Sequence, residues 1–388
     1  MKEVDIDQIM KALKVVLSES KRYNLHEPLF QGNEISYVKE CIDSTWVSSV
    51  GKFVDQFEEM LAEYTGVRKV VSVVNGTAAL HISLILAGVT TDDEVLMPTL
   101  TFVATANAVN YCNAVPHFVD SCETTLGLDP IKLRSYLKDI VETRSGASFN
   151  KYSGRKIQAV LPMHTFGHPV DLDLLLEVCN EFNLVLVEDA AESLGSYYKG
   201  RHTGNHGVIS ALSFNGNKII TTGGGGAILT NDEVLGKKAK HLTTTARVAH
   251  KWSFVHDQVG YNYRLPNLNA ALGCAQMEKL PELLSRKRLL AEKYFQVFKG
   301  ISGVNFFREP EFAQSNYWLN VLLLEKGFES SRDLVLEATN RADIMTRPAW
   351  RLMHELDIYK NCPRMDDLSS SISIEQRLIN IPSSSFLS

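Results

Sequence analysis

The sequence predicts an α/β fold, with a large domain built on a mainly parallel seven-stranded sheet and a smaller α+β domain after it. From about residue 50 to 270, short apolar runs alternate with longer helical patterns, which is typical of parallel strands covered by helices on both faces. After about residue 270, a long charged helical stretch precedes strand-like segments. The 388 residues, 45% of them hydrophobic, suffice for a large core and more than one domain. We therefore predict a large domain over residues 1–270, including an N-terminal helical segment, and a small domain over residues 271–388.

Seven short apolar segments are the predicted strands of the sheet. They lie at 69–74, 94–98, 115–120, 157–162, 184–189, 208–214 and 226–231. Asp129 followed by Pro130 is typical of a helix start, because the carboxylate caps free N–H groups and proline fits the first turn. Apolar residues at helical spacing between Phe53 and Tyr64 predict a further helix that ends at Gly66. The polar segment 143–156 is expected to be an exposed loop.

Composition and charge exclude several classes of protein. The formal net charge is −5, whereas a nucleic-acid-binding protein usually carries a basic face. No run approaches the roughly 18 apolar residues of a membrane span, and the charged, amphipathic N-terminus does not resemble a signal peptide. The six cysteines are scattered without a CxxC pair, which argues against a disulfide framework or a metal site. We expect a cytoplasmic protein without nucleic-acid or membrane partners.

Four features lie where predicted strands end, the edge at which ligands bind in wound α/β sheets. The first is the turn Asn75–Ala78 between a strand and a helix. Backbone N–H groups at that helix start, with the Thr77 hydroxyl, would form an anion pocket suited to a phosphate. An ordinary strand-to-helix turn is the alternative. The second feature is Asp189, whose carboxylate ends a strand and needs a cationic partner if buried. A protonated pyridine nitrogen or an internal Arg or Lys would serve equally.

The third feature is Lys218, which lies between a strand and the glycine run 223–226. Apolar residues and glycines on its flanks favour a confined lysine over a solvated one, and a desolvated amine is a better nucleophile. The fourth is Phe102, either a core aromatic or a surface on which a planar ring stacks. The glycine run matches neither a P-loop nor a Rossmann fingerprint. Together, a phosphate cradle, a carboxylate, a lysine and an aromatic are the parts needed to hold pyridoxal phosphate.

At this point the sequence resembles the sugar-nucleotide aminotransferases of the DegT/DnrJ/EryC1/StrS family over nearly its whole length. The resemblance implies the aspartate aminotransferase fold (fold type I) and a homodimer in which each active site is shared between subunits. The matching stretches are FVDQFEEMLAEYTG, NGTAALHISL, DEVLMPTLTFVATANAV, PMHTFGHPVDLD, VLVEDAAESLGS, SFNGNKIITTGGGGAI and GYNYRLPNLNAALGCAQ.

The family pattern also implies roles for individual residues. It makes Lys218 the residue that forms the internal aldimine with pyridoxal phosphate, with pyridoxamine phosphate as the intermediate form of the cofactor. Asp189 pairs with the ring nitrogen and Phe102 stacks on the ring, while Glu192 lies near the ring hydroxyl. Asn262 reaches the phosphate of the partner subunit. The phosphate-binding positions fall on Thr77, Ala78 and Ser213, beside Gly76 of the same turn.

A finer resemblance concerns the substrate. The stretches NLHEPLFQGNE and STWVSSVGKFVDQFE look like those of enzymes that aminate C4 of nucleotide-linked 4-keto-6-deoxy sugars in bacillosamine- and legionaminic acid-type pathways of bacterial glycans. The likeness implies glutamate as amino donor and a UDP-linked 2-acetamido sugar as acceptor, with GDP- or dTDP-linked sugars left open. His164, Arg347 and Trp350 are the candidate substrate-binding residues, although surface packing is a common role for an Arg–aromatic pair.

Three alternatives to this function stay open. Within the family, the chain could be a pyridoxal phosphate-dependent dehydratase of a similar sugar or an aminotransferase acting at C3. Family members with His at the lysine position are dehydratases, so Lys218 favours a transaminase. A non-catalytic sensor on the same fold would be expected to have lost the lysine or its acid, and both are present.

Overall fold

The computed structural model describes residues 2–17 and 22–388, in which helices and strands alternate along most of the chain. The α-helices are α1 (Ile6–Val16), α2 (Glu34–Asp43), α3 (Lys52–Thr65), α4 (Gly76–Leu86), α5 (Val103–Tyr111), α6 (Pro130–Ile140), α7 (Leu172–Glu181), α8 (Glu233–Thr243), α9 (Asn267–Phe298), α10 (Arg332–Arg341) and α11 (Ser369–Arg377). The strands are β1 (Lys69–Val73), β2 (Glu94–Pro98), β3 (Val115–Val119), β4 (Val141–Arg144), β5 (Ala147–Asn150), β6 (Ile157–Val160), β7 (Val185–Asp189), β8 (Tyr197–Tyr198), β9 (Arg201–His202), β10 (Ile209–Ser213), β11 (Gly226–Thr230), β12 (Arg247–Val248), β13 (Val255–His256), β14 (Val304–Phe306), β15 (Ala313–Gln314), β16 (Asn320–Leu324), β17 (Arg347–Pro348) and β18 (Leu378–Ile381).

The large sheet has seven strands in the order β1-β11-β10-β7-β6-β2-β3. Strands β10, β7, β6, β2 and β3 pair in parallel, whereas β11 is antiparallel to both of its neighbours, β1 and β10. The predicted fold class, with its mainly parallel sheet, is therefore confirmed. All seven predicted strand segments belong to this sheet, and their carboxyl ends lie at one edge except for β11.

Helices cover both faces of this sheet, which is why its strands read as continuous apolar runs. Neighbouring side chains of a strand point to opposite faces, and β7 shows the consequence. Leu186 packs with residues of α6 and α7, while Val187 packs with residues of α4 and α5 on the other face. All five residues of β2 are buried.

Helix ends follow the predicted chemistry. The Asp129 carboxylate accepts hydrogen bonds from the N–H groups of Ile131 (2.9 Å) and Lys132 (3.0 Å), and Pro130 occupies the first turn of α6. Helix α3 ends at Gly66, which has a left-handed φ of 72° that glycine adopts without a steric penalty.

The predicted loop 143–156 is wrong in part, because the structure forms a β-hairpin there. Strands β4 and β5 pair antiparallel across Ser145 and Gly146, both of which have positive φ, as a two-residue hairpin turn requires. Ser148 and Asn150 of β5 are buried. The polar composition hid this hairpin because its buried side chains are hydrogen-bonded, not apolar.

The C-terminal part contains a second sheet in the order β14-β16-β18-β17. Helix α1 packs against this part, since Ile9 and Leu13 share a core with Tyr294 of α9 and Ile379 of β18. The predicted division placed the N-terminal helix in the large domain, and its packing does not follow that division. The predicted boundary at 270/271 lies in the first turn of α9.

Helix α9 joins the two parts and continues through Pro281. Its first half packs with the large sheet's core, and its second half packs with α1 and β14. Within the described residues, no helix has both the length and the apolar composition needed to cross a membrane.

Candidate active site

A cavity of about 340 Å³ opens at the carboxyl ends of the parallel strands. Its walls come from the connections after β1, β2, β7 and β10, where the sequence features were predicted to converge. The predicted site residues that line it are Gly76, Thr77, Phe102, Asp189, Glu192, Ser213, Lys218 and Trp350.

One end of the cavity is built to receive an anion. Thr77, in the first turn of α4, and Ser213 line it, and neither hydroxyl forms a hydrogen bond with another described residue. The Asn75 side chain caps α4 by accepting from the Ala78 N–H at 2.8 Å. The Ala78 N–H is therefore already hydrogen-bonded, and Ala78 does not line the cavity. In this respect the structure differs from the prediction that Ala78 binds the phosphate. A Cβ on Gly76 would lie 2.8 Å from Ser213 Cβ, so only glycine lets the two segments meet.

The carboxylate of Asp189 lies in the floor of the cavity and is 2% exposed. Thr105 Oγ1 donates to its Oδ2 at 2.7 Å, and the Ala191 N–H donates to its Oδ1 at 3.1 Å. Burial raises the pKa of Asp189, although these hydrogen bonds and the charge of Lys218 favour its ionised form. A cationic ring nitrogen entering the cavity would remove that penalty, so the site fits a protonated pyridine.

The amine of Lys218 is held between a carboxylate and an aromatic face. Its Nζ lies 3.3 Å from Glu192 Oε1 and 3.9 Å from the centroid of the Trp318 ring, and the side chain is only 14% exposed. The other Glu192 oxygen accepts from the Phe166 N–H at 2.9 Å. Burial raises the pKa of Glu192 to about 7, against the opposing effect of Lys218. The predicted confinement of the lysine is present.

The glycine run 223–226 makes close contacts that a side chain would block. A Cβ on Gly226 would lie 2.5 Å from the Asn75 carbonyl carbon, and one on Gly225 would lie 2.2 Å from Thr222 Oγ1. The run therefore seats the loop that carries Lys218 directly on the turn before α4. Gly223 adds a left-handed φ of 78°. The backbone of the loop and that of the turn are thus fixed against each other.

A second, larger cavity of about 610 Å³ adjoins the first. Trp318, Trp350 and Asn217 line both. Arg347 lines only the second, and its guanidinium is exposed, with weak hydrogen bonds to Asn340 Oδ1 and the Thr346 carbonyl. Both Arg347 and Trp350 are therefore placed to meet a ligand that extends beyond the first cavity.

His164 lies elsewhere, and its predicted substrate contact needs correction. Its ring is fully buried and lies 3.1 Å from Glu188 Oε2, while its Nδ1 accepts from the Val170 N–H at 3.3 Å. Because neither cavity reaches it, His164 can support the strand that carries Asp189 but does not face a substrate in this structure.

Asn262 is exposed and lines neither of the two cavities of its own chain. It bridges to Thr244 and accepts from Arg264 Nε at 3.0 Å. The single chain thus offers no role for it in its own site, and its role toward a second subunit stays a prediction.

Two contributors were missed by the sequence reasoning. Thr105, which holds Asp189, lies on the first turn of α5 three residues after Phe102, and the closeness of that turn to the strand ends was the available signal. The second is Trp318, whose ring covers the Lys218 amine and which is not among the predicted site residues.

Comparisons with known proteins agree with this geometry. The sequence pattern of the DegT/DnrJ/EryC1/StrS aminotransferase family matches residues 28–388. GDP-perosamine synthase of Caulobacter vibrioides is 35% identical over 369 residues, which cover 94% of each chain. The aminotransferase TlmJ of Streptoalloteichus hindustanus has a TM-score of 0.85 at 27% identity over 95% of each chain. PseC of Helicobacter pylori, an aminotransferase involved in pseudoaminic acid biosynthesis, shares the fold, with a TM-score of 0.84 at 23% identity over 93% of this chain and 94% of its own.

Proposed function

This chain belongs to the DegT/DnrJ/EryC1/StrS aminotransferase family and is a pyridoxal phosphate-dependent transaminase, and from this we propose the following reaction. It moves an amino group from glutamate to the C4 keto group of a nucleotide-linked 4-keto-6-deoxy sugar. One observation carries the proposal. The confined Lys218 amine lies in the cavity that also holds Asp189, and a larger cavity beside it has room for the rest of a nucleotide sugar.

The residues of the first cavity would hold the cofactor by complementary chemistry. Thr77, Ser213 and the N-terminus of α4 suit the phosphate, and Phe102, which is 47% exposed, offers its face to the ring. Asp189 suits the ring nitrogen. When bound, pyridoxal phosphate supplies a carbon that amines attack and a ring that withdraws electrons.

Lys218 would move the protons of the reaction. In the first half its Nζ would move the proton from the α-carbon of glutamate to the cofactor carbon that carries the nitrogen, and in the second half it would move a proton from that carbon to C4 of the sugar. Glu192 and Trp318 restrict where that amine can go, since they contact it from two sides. Asp189 would favour the reaction by keeping a positive charge on the ring nitrogen.

The second cavity would take the nucleotide part of the substrate. The Arg347 guanidinium is exposed there and suits a diphosphate, while Trp350 provides apolar surface between the two cavities. The Caulobacter relative, a GDP-perosamine synthase, supports amination at C4 and adds weight to a GDP-linked acceptor. The likeness drawn from the sequence favours a UDP-linked 2-acetamido sugar, so the base is a matter for direct assay.

The test is an assay of the purified protein with glutamate and UDP-, GDP- and dTDP-linked 4-keto-6-deoxy sugars. We expect one class to yield an amino sugar and 2-oxoglutarate, seen by mass spectrometry, and the variant Lys218→Ala to keep its fold and lose turnover. A product that has lost water without gaining nitrogen would indicate a dehydratase. Failure of every acceptor with cofactor bound would contradict the proposed substrate class, and amination at C3 would correct the position.

We also propose a cytoplasmic homodimer in which Asn262 completes the phosphate site of the partner copy. Mixing Lys218→Ala with Asn262→Ala chains should then restore part of the activity, because one of the two sites in each heterodimer has both intact residues. Confirmed heterodimers without activity would rule out the shared site.

A further inference from the structure

We propose that Thr105 is a positioning residue for Asp189: its hydroxyl orients the carboxylate toward the ring nitrogen of the cofactor and keeps it in the acceptor form. This inference rests on the cofactor site described above. Thr105 is 1% exposed, and its Oγ1 lies 2.7 Å from Asp189 Oδ2. This distance is that of a well-formed hydroxyl-to-carboxyl hydrogen bond.

Within residues 2–17 and 22–388, no other side chain donates a hydrogen bond to the Asp189 carboxylate. The second oxygen of Asp189 accepts only the backbone N–H of Ala191, and no lysine or arginine forms an ion pair with the carboxylate. The orientation of Asp189 therefore depends on one hydroxyl and one peptide group. The Ala191 N–H is two residues from Asp189 along the same chain, so Thr105 is the contact that ties the carboxylate to another element, α5.

A second hydroxyl, that of Thr101, lies within hydrogen-bond distance of Thr105. Thr101 Oγ1 lies 3.0 Å from Thr105 Oγ1 and 3.0 Å from the Met163 sulfur. Thr105 has a single proton, which it donates to Asp189, so its oxygen is left to accept from Thr101, for which the Met163 thioether is the weaker acceptor. Bonds aligned in this way polarise one another and strengthen the last donor.

Burial and the surrounding groups have opposing effects on Asp189, and the Thr105 hydrogen bond is one of those that favour its ionised form. Burial raises the pKa of Asp189, whereas the Thr105 and Ala191 hydrogen bonds and the charges of Lys218 and His164 favour its ionised form. The adjacent Glu188 side chain is engaged on the far side with His164. Removal of the Thr105 hydroxyl should consequently favour the protonated carboxyl, which cannot pair with a protonated ring nitrogen.

The experiment compares Thr105→Val, which keeps the shape and loses the hydroxyl, with Thr105→Ser, which keeps the hydroxyl. Thr65→Val is the matched control, because Thr65 is buried in α3 and its hydroxyl bonds only a backbone carbonyl. The dissociation constant of pyridoxal phosphate is measured by absorbance titration of each cofactor-depleted protein between pH 6 and 8.5. Transamination by each reconstituted enzyme is measured separately.

We expect Thr105→Val to bind the cofactor roughly 10- to 100-fold more weakly, the range for a lost hydrogen bond to a charged group. The difference from the wild type should grow as the pH falls, because acid favours the protonated carboxyl. Thr105→Ser should lie close to the wild type, and Thr65→Val should be unchanged.

Equal affinities for Thr105→Val and the wild type at every pH would overturn the inference. So would a pH-independent loss that Thr105→Ser shares, since that result indicates packing alone. Either result leaves the proposed function intact if the wild type still transaminates. A wild type that binds the cofactor yet aminates no sugar would instead count against the proposed function.

Discussion

At the scale of single residues, three acids within five positions show how surroundings set charge. Burial would raise the pKa of Glu188, but hydrogen bonds from His164 and the Gly207 N–H hold it near 2. Asp189 has fewer donors, and burial raises its pKa. Glu192, bonded to Lys218 and one N–H, has a pKa of about 7. Glu192 therefore changes its charge near neutral pH.

The raised pKa of Glu192 predicts a pH-dependent stability. Between its ordinary value of 4.5 and about 7, the native cofactor-free protein keeps a proton that the unfolded chain releases, so the free energy of unfolding falls as the pH rises. The variant Glu192→Gln has no ionisable group at this position, so its stability should not fall in this way. Its free energy of unfolding should rise relative to that of the wild type by about 2–3 kcal/mol from pH 4.5 to 7.5. Urea unfolding at several pH values measures the difference, and parallel curves for the two proteins would contradict the assignment.

The residues of the site were predictable to different degrees. Lys218 and Asp189 could be predicted because a confined amine and a carboxylate at a strand end are unusual in a sequence. Thr105 could not, since threonines are common and only the packing of α5 shows which one faces Asp189. His164 stands in a strongly recognisable stretch, but its partner Glu188 turns the ring into the core.

At the scale of elements, helix caps and strands carry most of the local information. Asp129 predicts the start of α6, and Val187 and Leu186 show why an apolar run reads as a strand covered on both faces. Pro281 is a local signal that does not match the structure. It suggests a break, yet α9 continues through it because packing along both halves outweighs one lost hydrogen bond.

The Asp129 cap gives an element-scale prediction. Asp129→Ala frees two N–H groups of α6 and should lower the free energy of unfolding by about 1 kcal/mol, as measured by urea denaturation. Asp129→Asn keeps the accepting oxygen and should retain most of the stability. If both variants lost the same amount, the cap would not be the cause.

At the scale of the whole molecule, α9 connects the two sheets. Gly273 of α9 faces Phe57 of α3, where an added Cβ would lie 2.7 Å from the ring and 2.9 Å from Thr222 Cγ2. Thr222 lies on the segment that follows Lys218. Neither the length of this helix nor the side of the molecule on which α1 packs could be predicted, because both depend on contacts far apart in the sequence.

The close packing at Gly273 predicts that a better helix former destabilises the protein. Gly273→Ala should lower the free energy of unfolding by about 1–3 kcal/mol through overpacking, despite the helix propensity of alanine. In the Phe57→Leu background, which leaves room on one side of Gly273, the same change should cost less, and the contact with Thr222 Cγ2 remains. A double-mutant cycle measures this coupling, and additive effects would refute the proposed clash.

The contact of Gly226 with Asn75 has a consequence for how such a protein can diverge. Any side chain at Gly226 would strike the main chain of Asn75 and Gly76, so a substitution there requires β11 or the turn before α4 to move. Arg347 at the second cavity is exposed, and among the described residues its hydrogen bonds are only to Asn340 and the Thr346 carbonyl. Under the proposed function, a change of acceptor is therefore better accommodated at that side chain than at Gly226.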